Sequence, residues 1–190
     1  MGLETISTAP GPFIPLDELK AQLRVEHDDE DTLIESHLAA AVDYFASRCH
    51  IAVAATTFKL TLDRFPAGKG AIDLLRPPTQ AVQSISYIDT EGNEQTLPES
   101  DYRLDKGVRP GRILPQFAWP DTSVEPLAVS VTYTAGFMSS NEAPALLTQG
   151  IKLLVGHFYE QRGATSDREA KRVPFALDAI VNRYSYAEVA

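Results

Sequence analysis

The sequence predicts an α+β protein: a helical core of two long antiparallel helices with shorter helices beside them, and an inserted antiparallel β region at about 56–135. Apolar residues recur at helical spacing over 28–48 and again over 144–159, and between these segments the period switches to strict alternation. Glycine and proline separate the short alternating runs, as expected of strands joined by turns. A chain of 190 residues can bury one core with a small satellite, so a single domain is expected. It divides into an arm at 1–13, helical core at 14–55 and 144–184, the β insertion, and a tail at 185–190.

The first residues, MGLETISTAPGPF, are rich in Gly, Pro, Ser and Thr without periodicity and read as a flexible arm. Pro15 suits a first helical turn, and Leu16, Leu19 and Leu23 follow at helical spacing, so a short helix is expected to about 24 and a break at 25–27. Asp28 is the expected N-cap of the first long helix. Asp31 stands three residues on, and Asp29 and Glu30 add negative charge where the helix dipole favours it. Leu33, Ile34, His37, Leu38, Ala41, Val42, Phe45 and Cys49 then trace one face of a helix roughly 30 Å long.

After Ala55, Phe58, Leu60 and Leu62 alternate with Lys59, Thr61 and Asp63, the pattern of a half-buried strand. Further strands are expected at 71–75, 82–89, 94–97, 102–104, 112–114 and 127–134. Asp89-Thr90-Glu91-Gly92-Asn93 holds the residues that tolerate positive φ and predicts a hairpin with an exposed tip. Pro144 opens the second long helix through Leu146, Leu147, Ile151, Leu154, Val155, Phe158 and Tyr159, ending near Arg162-Gly163 and pairing with the first. Residues 164–172 are polar and charged and are expected to be mobile. Pro174 then starts a last helix carrying Phe175, Leu177, Ile180 and Val181.

The formal charge of −9 disfavours tight wrapping on nucleic acid and does not exclude DNA passing nearby, being compatible with a conduit. The single Cys49 excludes an intrachain disulfide and lies in a helical apolar pattern, consistent with a reducing compartment. The N-terminus lacks the features of a signal peptide and no run approaches a membrane span, so a soluble protein is expected.

No catalytic constellation emerges. The acidic run at 28–31 lacks the alternating ligands and central glycine of a calcium loop and reads as a solvated helix start. His27, His37, His50 and His157 have no metal-ligand spacing, although antiparallel packing would let His37 and His157 approach each other. Ser84, Ser86 and Ser130 lie outside any nucleophile elbow, and Gly68-Lys69-Gly70 lacks phosphate-loop spacing. An enzyme in the β region would rest only on Asp101, Asp105 and His157. Arg103, Lys106, Arg109 and Arg112 surround the loop 107–111 and form a candidate DNA- or partner-facing surface, diluted by Asp101 and Asp105. Acids outnumber bases between Asp17 and Arg48 and bases outnumber acids between Lys152 and Arg183, an asymmetry that can orient one subunit against the next.

An ordered set of segments spans nearly the whole chain: LDELKAQLRVEHDDEDTLIESHLAAAVDYF, RPPTQAVQSISYIDTEGNEQTLPESDYRLD, PGRILP with Trp119-Pro120, LAVSVTYTAGF, PALLTQGIKLLVGHFYEQRGA and VPFALDAIVNRY. Together they resemble the head-tail connector (adaptor) family of tailed bacteriophages, including its prophage and gene-transfer-agent members. The resemblance implies a structural virion protein without catalytic role or cofactor, made in the bacterial host cytoplasm and placed at the virion neck. It further implies a homo-oligomeric ring, usually a dodecamer, between the portal protein and the next neck or tail-completion protein. DNA would pass through the hole without specific binding, and no membrane is involved. The portal contact would lie from Val173 onward, with Pro174, Phe175, Leu177, Tyr184 and Tyr186 as candidate anchors. The alternative is another neck or tail-completion protein, a stopper or tail-terminator-like module.

Overall fold

A computed structural model describes residues 1–161 and 175–186, apart from the side chains of Phe175 and Ala176. Among the described residues, four helices and antiparallel sheets make the protein α+β. The chain forms two compact units, one of residues 1–9 with 55–136 and one of 10–54 with 137–190.

The first unit holds every strand found among the described residues. β1 (Gly2–Thr8), β2 (Thr56–Leu62), β4 (Thr79–Ile88), β5 (Glu94–Thr96) and β8 (Val129–Ala135) form a sheet in the order β1-β2-β8-β4-β5. β3 (Ile72–Leu74), β6 (Tyr102–Asp105) and β7 (Gly111–Pro115) form a second, ordered β3-β7-β6. Alternation decides which face of each strand is inside. In β8, Val129, Val131, Tyr133 and Ala135 are fully buried while Ser130, Thr132 and Thr134 are half-exposed. The register pairs Leu60 with Val131 and Phe58 with Tyr133, whose rings lie 5.7 Å apart. Tyr133 also donates its hydroxyl to the Leu75 carbonyl at 2.7 Å, just beyond β3, so its buried polar atom is satisfied.

Two expectations for this unit require correction. Residues 2–8 are not an arm but the edge strand β1, antiparallel to β2 with Leu3 opposite Leu60 and Thr5 opposite Phe58. The segment carries β-favouring Thr and Ile, but it exposes most of its side chains, so no hydrophobic alternation marks it in the sequence. The fourth strand begins at Thr79, three residues before the expected 82. Irregularities at Thr79/Ala81 and Val82/Ser84 break the two-residue period there. The Asp89–Asn93 hairpin is present, with Asp89 accepting the amides of Glu91 and Asn93 at 2.9 Å each.

The second unit packs α1 (Leu16–Leu23), α2 (Asp31–Cys49), α3 (Ala145–Glu160) and α4 (Phe175–Tyr184) around one core. Ile34, Leu38, Ala41, Phe45 and Cys49 of α2 are buried with Leu147, Ile151, Leu154 and Val155 of α3. Leu33 and Leu146, read as members of the inward faces, are exposed, so each buried stripe is narrower than its apolar pattern. Asp28 does not cap α2. The helix starts three residues later, and the Asp28 and Asp31 carboxylates accept the Lys20 ammonium at 2.5 and 2.8 Å. The cation out-competes the backbone amides for these carboxylates, because hydrogen bonds between charged partners are the stronger ones. Those bonds raise the Lys20 pKa to about 12. The expected helix end at Arg162-Gly163, the segment 164–172 and residues 187–190 of the tail expected at 185–190 lie outside the described residues.

α3 carries a glycine at its closest approach to its neighbours. A Cβ on Gly150 would stand 2.9 Å from Phe45 Cζ and 3.1 Å from Ile180 Cδ1. Gly150→Ala is therefore expected to lower stability by about 1–3 kcal/mol through overpacking, despite the better helix propensity of alanine. Thermal unfolding checks this, with Gly156→Ala as control, since a Cβ there makes only an ordinary 3.8 Å contact with Leu23.

Candidate interaction surfaces

The C-terminal candidates separate by position. Leu177 is fully buried and, with Ile180 and Val181, forms the stripe that seats α4 on the core of its unit. Its spacing from these two residues is what a helix needs to bury one face, so Leu177 holds the helix and is not presented outward. Tyr184 and Tyr186 are half-buried, and the Tyr186 amide donates to the Cys49 carbonyl at 2.8 Å. Cys49 itself is buried, its thiol 3.7 Å from the Val181 carbonyl, and burial pushes its pKa up to about 11, so it is a packing residue and not a nucleophile. Phe175 opens α4, and Pro174 lies outside the described residues.

The basic residues come together on the β6–β7 hairpin but are not equivalent. Asp105 stands opposite Arg112 in register and accepts its Nε at 3.2 Å, so these two charges cancel. The Gly107 amide donates to the same carboxylate at 3.0 Å and closes the turn. Arg103, Lys106 and Arg109 remain exposed, and neither Lys106 nor Arg109 has an ion-pair partner among the described residues. The tip is thus a small cationic prominence, and Arg112 belongs to its scaffold.

A second surface, in the connection 116–128 between β7 and β8, was not legible in the sequence. This segment is longer than most loops in compact domains and is pinned along its length. The Gln116 amide donates to the Asp101 carbonyl at 2.7 Å and the Ser123 amide to the Ile88 carbonyl at 2.9 Å. The Trp119 indole stacks on Phe65 with centroids 4.7 Å apart and donates Nε1–H to the Gly70 carbonyl at 2.7 Å. Leu127, expected to open the last strand, precedes it at φ 59°, with its amide donating to the Asp63 carboxylate at 3.1 Å. Between these fixed points Phe117 is 74% exposed and Val124 fully so. The only available signal was a run of apolar residues with neither helical nor alternating period.

No group of three or more His, Cys, Asp or Glu residues among those described could hold a metal ion. His37 and His157 do meet a common neighbour, their rings lying 6.0 and 6.3 Å from that of Phe158. No helix among the described residues is long and apolar enough to cross a membrane.

The hairpin yields a pH test. The Asp105 carboxyl lies below its ordinary 3.8, first because Gly107 N–H donates to it and then because of Arg112. A depressed folded-state pKa means that these contacts are intact above the unfolded value and are lost as pH falls through the folded one. The Gly107 amide resonance is expected to hold steady down to pH 3.8 and to shift only below it, with Asp105→Asn abolishing the transition.

The family model described as phage gp6-like head-tail connector protein matches residues 13–106. Among solved structures, a chain from the neck of an empty gene transfer agent particle computed with C6 symmetry superposes with TM-score 0.80 at 25% identity, covering 100% of this chain and 98% of that one. A chain from the virion of a native gene transfer agent particle gives 0.79 at 26% identity with the same coverage. A chain from the neck of the native particle computed with C12 symmetry gives 0.76 at 25%, again with that coverage. No curated protein matches significantly. The match over residues 13–106 and a likeness running nearly the full length of neck proteins make the chain similar to the gp6-like head-tail connectors, which are structural proteins and not enzymes, and support a structural connector of the virion neck.

Proposed function

We infer that this chain assembles head to tail into a ring, twelvefold in the virion, beneath the portal protein and above the next neck or tail-completion protein. Its central hole lets DNA pass without specific binding. The observation that carries this reading is the full-length likeness to neck chains of particles solved with C6 and C12 symmetry. A heterologous contact repeated at a fixed rotation closes into such a ring. The net charge of −9 supports passage over binding, since a surface poor in free cations releases few counterions from DNA. Both compact units act together as one connector domain, because the similar chains are covered over nearly their whole length.

Within the helical unit, α2 and α3 run antiparallel as the long pair of the core. In support, Tyr159 near the end of α3 donates to Glu30 before the start of α2, while Gly150, earlier in α3, faces Phe45, late in α2. The C-terminal segment docks on the portal. Tyr184 and Tyr186 are its described anchors, Pro174 and Phe175 complete the candidate set, and Leu177 keeps α4 in place.

Negative-stain electron microscopy of the full chain, alone and mixed with its portal protein, is expected to show rings; none in either setting would falsify the ring. Replacing Tyr184 and Tyr186 together by alanine is expected to lower co-purification with the portal by about tenfold, measured at a temperature where circular dichroism shows the variant still folded. Equal retention would move the portal contact elsewhere.

A further inference from the structure

We propose that the cationic tip of the β6–β7 hairpin of one copy docks on the acidic, apolar connection 116–128 of the next copy, forming the head-to-tail contact of the ring. This rests on the ring assembly inferred above and names the surfaces that build it.

The two surfaces are complementary in charge and in apolar content. The tip 106–110 carries Lys106 and Arg109 with no acid, and its Val108 is 36% exposed. The connection carries Asp121 and Glu125 with no base, and presents Phe117, Val124 and Leu127 to solvent. Asp105 is engaged by Arg112, and the tip cations Lys106 and Arg109 have no ion-pair partner among the described residues. The connection is also pre-organised: Gln116 and Trp119 are tied down on either side of Phe117, so little conformational freedom is lost when that ring enters a partner's surface. A large aromatic side chain held outward on a rigid loop is the usual anchor of a protein contact.

Geometry excludes a contact between the tip and Phe117 within one chain. The tip precedes β7 and Phe117 follows it, so β7 (Gly111–Pro115) separates them by roughly 15–20 Å at the rise of an extended strand. Tip and anchor therefore stand at opposite ends of one strand, and a contact between them must join two copies. Because the two surfaces differ, that contact is heterologous, the kind that a ring requires.

Charge reversal with rescue tests the pairing in the full chain, read by sedimentation velocity and electron microscopy. Reversing the tip (Lys106→Glu with Arg109→Glu) or the connection (Asp121→Lys with Glu125→Lys) is expected to raise the concentration needed for assembly by about tenfold or more. All four changes together are expected to restore assembly to near wild type, which a merely structural defect could not do. Circular dichroism and melting curves should match wild type throughout, since every altered side chain is exposed. If wild type forms rings and both reversed variants form them equally well, the proposal is overturned while the ring stands. If reversal weakens assembly but the fourfold variant is not rescued, the two surfaces do not meet. If wild type itself forms no ring, the ring falls and the proposal with it.

Discussion

The β unit depends on the register of β8. Its seven residues pair with β2 on one side and β4 on the other, so β8 sets which face of three strands is buried. Val129, Val131, Tyr133 and Ala135 turn inward, and a slip by one residue would bury Ser130, Thr132 and Thr134 in their place. The connection 116–128 ends where β8 begins and is held to Ile88 and Asp63, so the outward positions of Val124 and Leu127 follow from the same register.

The helical unit is governed by close approach. α3 can lie against Phe45 and Ile180 only because position 150 has no side chain, and this lets α4 close the core with Leu177, Ile180 and Val181. Burying a residue such as Leu177 contributes about 1.5–3 kcal/mol, enough to bind a short helix that would be marginal alone. The Tyr186 amide on the Cys49 carbonyl carries the chain past the end of α4, which is how Tyr184 and Tyr186 come to sit at the edge of the core.

Charge in this protein is organised by local cancellation. Lys20 bridges Asp28 and Asp31 and offsets one of their two charges, Arg112 neutralises Asp105, and Lys152 pairs with Glu18. In the sequence the runs 28–31 and 103–112 look like charge clusters, whereas in the folded chain much of that charge is consumed internally. What remains exposed and without an ion-pair partner among the described residues on the β6–β7 hairpin is smaller and more specific, the tip at Lys106 and Arg109.

The sequence by itself determined the class, the four helices, the alternating middle of the chain and the Asp89–Asn93 turn, because each is written in spacing or turn chemistry within a few residues. Its ordered segments also pointed to the head-tail connectors. The tertiary structure alone decided that residues 2–8 pair with β2, that Asp28 serves Lys20 and not the helix end, and that Leu177 is enclosed. It likewise decided which arginine is tied to Asp105 and that Phe117 stands out from a pinned loop. Each of these is a contact between residues distant in sequence or a competition for one partner, and neither leaves a periodic trace in the chain.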